Sequence, residues 1–112
     1  MDIRTERENG TMIASVEGRI DGLTARDFEI TMKSAISEDD SAVILDLAHV
    51  TYVSSAGLRA FLLIAKNLWK REATFLLCDL SEPVQEVFDI AGFDKIIKII
   101  PTRTDAIASL GS

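Results

Sequence analysis

The chain is poor in the residues that build cross-links and metal centres. One cysteine and one histidine among 112 residues exclude an internal disulfide and leave little basis for a dedicated transition-metal site. Only 2 prolines and 6 glycines occur, and they do not cluster, so no linker or low-complexity segment divides the sequence. No repeat at solenoid spacing is visible. The longest uncharged apolar run, Ala60 to Ala65, is far too short to span a bilayer. Basic residues are outnumbered, 12 Lys and Arg against 18 Asp and Glu, which leaves a net charge of −6 at pH 7. That sign repels phosphate backbones and anionic lipid, so neither nucleic acid nor a membrane is expected as a partner. The opening Met1-Asp2-Ile3-Arg4-Thr5-Glu6 lacks the apolar stretch of a secretory signal, and a cytoplasmic location is expected.

What is present fits a folded domain. An apolar fraction of 47% with 27% charged residues can bury a core, and the length suits one domain over residues 1–112. Apolar runs alternate with segments of helical periodicity. Met1 to Thr5 reads as a strand, and Asn9-Gly10 is a hairpin signal before a second strand at Thr11 to Val16. A loop follows from Gly18 to Leu23. Thr24-Ala25-Arg26-Asp27 fits a capping box ahead of a helix carrying Ala25, Phe28, Met32, Ala35 and Ile36. Ala42 to Leu47 reads as a strand covered on both faces. His49 to Ser54 leads into a helix over Ser55 to Arg71. Thr74 to Cys78 is another buried strand, with Cys78 a small core residue. Ser81-Glu82-Pro83 opens a third helix and Gly92 closes it. Ile96 to Ile100 is a last strand, and Thr102 to Asp105 repeats the capping pattern for a final helix. The order β-β-α-β-α-β-α-β-α predicts an α/β domain. Its mixed, mostly parallel sheet has about five strands, with four helices and an antiparallel hairpin at the start.

The run Val43-Ile44-Leu45-Asp46-Leu47, followed by Val50-Thr51-Tyr52-Val53-Ser54-Ser55-Ala56-Gly57-Leu58-Arg59, resembles the signature of STAS domains. More narrowly it resembles the single-domain anti-sigma factor antagonists of bacteria. Gly18-Arg19-Ile20-Asp21 with Thr24, Cys78-Asp79-Leu80-Ser81 and Val87 to Phe93 resemble further family segments in the same register. The resemblance implies a partner-switching regulator of transcription with no catalytic residues and no cofactor. It binds an anti-sigma factor with serine kinase activity while unphosphorylated, and phosphorylation of a serine at the start of the second helix releases it. A serine/threonine phosphatase of the metal-dependent class resets it. The commoner motif has an acidic residue, a serine, then a second hydroxyl before Gly-Leu. Here Ser54 takes the acidic place, Ser55 the first hydroxyl and Ala56 the second, which points to Ser55 as phosphosite with Ser54 as the alternative. Lone domains of this kind also occur as small cytosolic subunits of lipid-transport ATPases, which need no such switch.

The residues support a binding role on their own account. At about 100° per residue, Leu58, Phe61, Leu62, Ala65 and Trp69 form one stripe, expected to be core. Ala56, Ala60, Leu63 and Asn67 fall nearly opposite, with Ile64 beside them. Apolar side chains there suit docking to another protein. Taken with what the resemblance implies around the motif, the expected partner surface is Asp21, Ser54, Ala56, Gly57, Arg59, Ala60 and Leu63. Asp21 either shapes recognition by the kinase or caps its own turn. Ser55 reads as the helix N-cap, a place that also favours an added phosphate. Asp46, His49 and Ser55 make a weak hydrolytic triad, because no glycine-rich elbow surrounds the serine. No phosphate-cradling glycine loop supports nucleotide binding.

Overall fold

A computed structural model describes residues 1–111. Strands β1 (Asp2–Glu8) and β2 (Thr11–Ile20) are followed by α1 (Ala25–Ala35), β3 (Ala42–Val53) and α2 (Ser55–Lys70). Then come β4 (Thr74–Cys78), α3 (Glu82–Ile90), a 3-10 turn at Phe93–Lys95, β5 (Lys98–Ile100) and α4 (Arg103–Leu110). The sheet runs β1-β2-β3-β4-β5. Only the β1–β2 pair is antiparallel, as the sequence order predicts. Asn9 and Gly10 both take positive φ, 52° and 80°, the backbone that a tight two-residue hairpin requires.

Three strands are longer than the sequence suggests. β2 continues through Gly18 to Ile20, and β3 runs past Leu47 to Val53, because the two stay paired through Glu17↔His49 and on to Ile20↔Val53. Two register shifts in that stretch absorb the irregularity, and Gly18 at φ 108° supplies a conformation other residues resist. β1 also extends, to Glu8. Asp2, Arg4, Glu6 and Glu8 are exposed along it, and such charges guard a free edge against pairing with another chain.

Strand alternation divides the core. Met12, Ala14, Val43, Leu45, Phe75 and Leu77 pack with α1, α2 and α3 in one large cluster. Ile13, Ile44, Leu76 and Cys78 face the other way, onto Ala106 of α4. Phe28, Phe61 and Phe88 link the three helices, with ring centroids 5.0 and 5.2 Å apart.

The phase of α2 differs from expectation. Its buried residues are Gly57, Leu58, Ala60, Phe61, Ile64, Ala65 and Leu68. Trp69 is exposed, and neither Leu62 nor Leu63 packs against the core. The core face is thus turned roughly 70° from the expected stripe. α2 lies between two helices and a sheet, so small and large residues are buried together and side-chain size misleads. Ala60 and Ile64, expected on the outer face, are core.

The capping box at α1 also fails to form. The Thr24 side chain makes no cap bond to the helix; its hydroxyl donates to the Arg19 carbonyl at 2.8 Å and accepts from the Asp21 amide at 3.0 Å. Thr102 does cap α4, accepting from the Asp105 amide at 3.0 Å.

Candidate functional site

The C-terminal ends of β2 and β3 carry most of the residues singled out above. Ser54 leaves β3 in extended conformation, and its Oγ accepts the Gly57 amide at 3.2 Å. Ser54 is therefore the N-cap of α2, and Ser55 is the helix's first residue. The expected cap moves by one position. The Ser55 side chain stands exposed and outside the capping bond.

The Ser54 amide donates to the Ile20 carbonyl at 3.0 Å, which ties the start of α2 to the end of β2. A Cβ on Gly57 would lie 2.4 Å from that same carbonyl oxygen. Glycine is required for the first turn of α2 to approach β2. Gly57 is buried, and Ala60 is 3% exposed; neither can touch a partner, and both leave the expected partner surface. Ala56 and Arg59 are exposed and Leu63 is half-buried, so these three do line the outward side of α2 beside Ser55.

Asp21 sits across from Ser54 in the turn after β2. Its Oδ1 accepts the Leu23 amide at 3.0 Å, and its Oδ2 accepts from Arg19 Nε at 3.3 Å. The Leu23 amide, chiefly, and the Arg19 contact hold this carboxyl below its ordinary pKa against the opposing cost of desolvation. Of the two roles open to Asp21, the geometry displays the turn-building one. The Arg19 guanidinium also lies over the Tyr52 ring, 4.3 Å from its centroid, within cation–π range. Arg19, Tyr52 and Leu23 join Asp21 at this turn, though the sequence does not single them out as site residues. An apolar residue between the glycine and threonine of a polar turn was the available signal.

The hydrolytic constellation is not assembled. Asp46 is on the α4 side of the sheet, where its carboxylate accepts from Arg103 Nε at 2.9 Å and from the Ala48 amide at 3.0 Å. His49 is in register with Glu17, short of the strand end that Ser55 follows. The same region holds Asp46, Cys78 and Asp79, whose ligand atoms lie within 4.8 Å of one another. This resembles a metal cluster only in composition. Arg103 already supplies the positive charge, through its guanidinium to Asp46 and its backbone amide to Asp79 Oδ2 at 2.9 Å. Burial, helped by the two neighbouring carboxylates, pushes the Cys78 thiol up to about 12, which keeps it protonated and unreactive at neutral pH.

No helix among the described residues is long and apolar enough to cross a membrane. Similarity to known proteins agrees with the geometry. The STAS domain family matches residues 2–106. BtrV of Bordetella bronchiseptica, whose name also carries the words anti-sigma factor antagonist, is 34% identical over 109 residues, covering 97% of this chain and 94% of BtrV. The anti-sigma-B factor antagonist of Listeria monocytogenes is 30% identical, covering 84% of this chain and 82% of its own length. The crystal structure of an anti-sigma factor antagonist from Mycobacterium paratuberculosis superposes with a TM-score of 0.90 at 25% identity, covering 99% and 94% of the two chains. Unphosphorylated SpoIIAA shares the fold, with a TM-score of 0.80 at 18% identity over 97% of this chain and 96% of SpoIIAA. These relatives are named as anti-sigma factor antagonists, a class of regulatory, non-enzymatic binding proteins, and the chain belongs to the STAS domain family.

Proposed function

We propose that this chain is a single-domain anti-sigma factor antagonist of the cytoplasm, switched by phosphorylation of Ser55. In the unphosphorylated state it binds an anti-sigma factor that is also a serine kinase. The contact is made by the outward side of the first turns of α2, with Ser54, Ser55, Ala56, Arg59 and Leu63, and by the neighbouring turn that Asp21 builds. The observation that carries this reading is the division of labour between the two serines. Ser54 spends its hydroxyl on the Gly57 amide, whereas Ser55 is exposed at the first helical position and free to meet a kinase.

A phosphate at Ser55 adds about −1.5 to −2 charges to a chain already at −6. The helix N-terminus tolerates that anion through its dipole, so the fold has no reason to change. The partner loses a small, nearly neutral surface and meets a solvated dianion, and the complex separates. A serine/threonine phosphatase of the metal-dependent class restores the binding form.

The test is incubation with the kinase and ATP, followed by mapping of the modified residue by mass spectrometry. Modification is expected in wild type and in Ser54→Ala, and none in Ser55→Ala. The opposite pattern would place the phosphosite at Ser54. The phosphorylated domain is expected to keep its circular dichroism and to lose at least about tenfold in affinity, equivalent to about 1.4 kcal/mol. A large loss of helix on phosphorylation would show a switch that acts through the fold of α2.

A further inference from the structure

The turn between β2 and α1 is closed on itself and offers one side chain outward. Asp21 Oδ1 accepts the Leu23 amide at 3.0 Å. The Asp21 carbonyl accepts the amides of Thr24 at 3.2 Å and Ala25 at 2.8 Å. The Thr24 hydroxyl bridges the Asp21 amide and the Arg19 carbonyl. Asp21 Oδ2 is taken by Arg19, which rests on Tyr52. The carboxylate is thus used within the turn. Leu23 is left 92% exposed, more than any other large apolar residue described.

An exposed leucine on a mobile loop is commonplace. One held at the apex of a hydrogen-bonded turn is different, because little ordering entropy remains to be lost when a partner covers it. The turn also stands beside the proposed phosphosite, since the Ile20 carbonyl that precedes Asp21 accepts the Ser54 amide at 3.0 Å.

We propose that Leu23 is an apolar anchor of the interface with the kinase-type anti-sigma factor, seated in an apolar recess of that partner, and that Asp21 is a positioning residue for it. This rests on the antagonist reading above. Burial of a whole leucine side chain predicts a loss of roughly tenfold or more in affinity for Leu23→Ala. The melting temperature should stay within about 3 °C, as for a surface substitution.

The experiment titrates the full chain and its variants by calorimetry against the serine-kinase anti-sigma factor of the same genome. It also measures each variant as a kinase substrate. Leu23→Ala is expected to raise KM and leave kcat unchanged, since the leucine grips the partner away from the acceptor hydroxyl. Asp21→Asn keeps an acceptor for the Leu23 amide and is expected to bind within about twofold of wild type, whereas Asp21→Ala is expected to follow Leu23→Ala. If wild type binds no such kinase, the antagonist reading falls and this inference with it. If wild type binds and Leu23→Ala binds equally well, this inference alone falls. A loss in Asp21→Asn with none in Leu23→Ala would overturn it in favour of a direct contact by the Asp21 charge. A self-associating wild type dispersed by Leu23→Ala would assign the leucine to a second copy of the chain and overturn it as well.

Discussion

At the C-terminal end of α2, Arg71 donates to the carbonyls of Ser37, Glu38 and Asp40, each at 3.0 Å. Asp40, 3% exposed, accepts from Arg7 Nε at 3.0 Å, from Arg7 Nη2 at 2.9 Å and from the Ser37 amide at 2.7 Å. Arg7 reaches on to the Ala35 carbonyl. β1, α1 and α2 are therefore bound together by polar groups that answer one another. At the N-terminal end of the same helix, Ser55, Ala56 and Arg59 are exposed, and Leu23 stands out from the turn that follows Ile20, whose carbonyl accepts the Ser54 amide. One end is closed and the other open. On the proposed reading, stability and recognition are separated along a single helix about 24 Å long, so substitutions at the two ends should sort into two kinds.

The sharpest break in that separation is in the middle, where α2 meets both. Phe61→Asp puts an unpaired charge among Phe28 and Phe88 and is expected to unfold the domain, seen as loss of the cooperative melt. Asp40→Ala comes next. It removes the acceptor for Arg7 and the Ser37 amide, and a loss of about 1–3 kcal/mol in chemical denaturation is expected with partner affinity intact. The same group sets an acid dependence. Burial works to raise the Asp40 pKa, but the Arg7 and Ser37 hydrogen bonds outweigh it, and the net direction is downward. A carboxyl lowered on folding contributes stability above its unfolded pKa of about 3.9. That contribution is lost as pH falls through the lower folded value. Asp40→Asn should therefore flatten the pH dependence of the melting temperature in that acid range.

Smaller effects belong to the open end. Ser54→Ala removes the true cap and should cost about 0.5–2 kcal/mol, whereas Ser55→Ala should stay within about 0.5 kcal/mol of wild type. Leu63→Asp should change stability least in proportion to its damage to binding, because its side chain lies outside the core. An unstable Leu63→Asp with normal partner affinity would erase the distinction between the two ends.

The element order was legible because apolar runs and helical periods alternate without ambiguity, and Asn9-Gly10 states its turn in two residues. The phase of α2 was not. Trp69 is large and apolar but lies toward solvent, and Leu62 is only half-buried. Ala60 and Gly57 are small because α2 is pressed against its neighbours, as the 2.4 Å approach at Gly57 shows. A period gives the width of a stripe more surely than its centre when both flanks are packed. The cap was misplaced by one residue because either hydroxyl could take it, and the Gly57 amide's bond to Ser54 Oγ decides between them. Asp21 stayed open for a similar reason: besides Arg19, what its carboxylate holds is the Leu23 backbone amide, a partner invisible in side-chain chemistry. The carry-over of Gly57 to a partner surface failed where a motif position serves the fold.

Arg103 shows how late the molecule is completed. One guanidinium joins Glu6 of β1, Ser15 of β2 and Asp46 of β3, partners that lie 97, 88 and 57 positions earlier in the chain. Its backbone amide takes Asp79, just past β4. Four strands are thus registered by a residue that leaves the ribosome after all of them. Until it arrives, Asp46 lacks that counter-charge and the α4 side of the sheet keeps Ile13, Ile44 and Leu76 bare, a surface open to non-native association during synthesis. α4 is then a closing clasp, and the rate at which nascent chains reach it should govern how much of the protein is lost to aggregation.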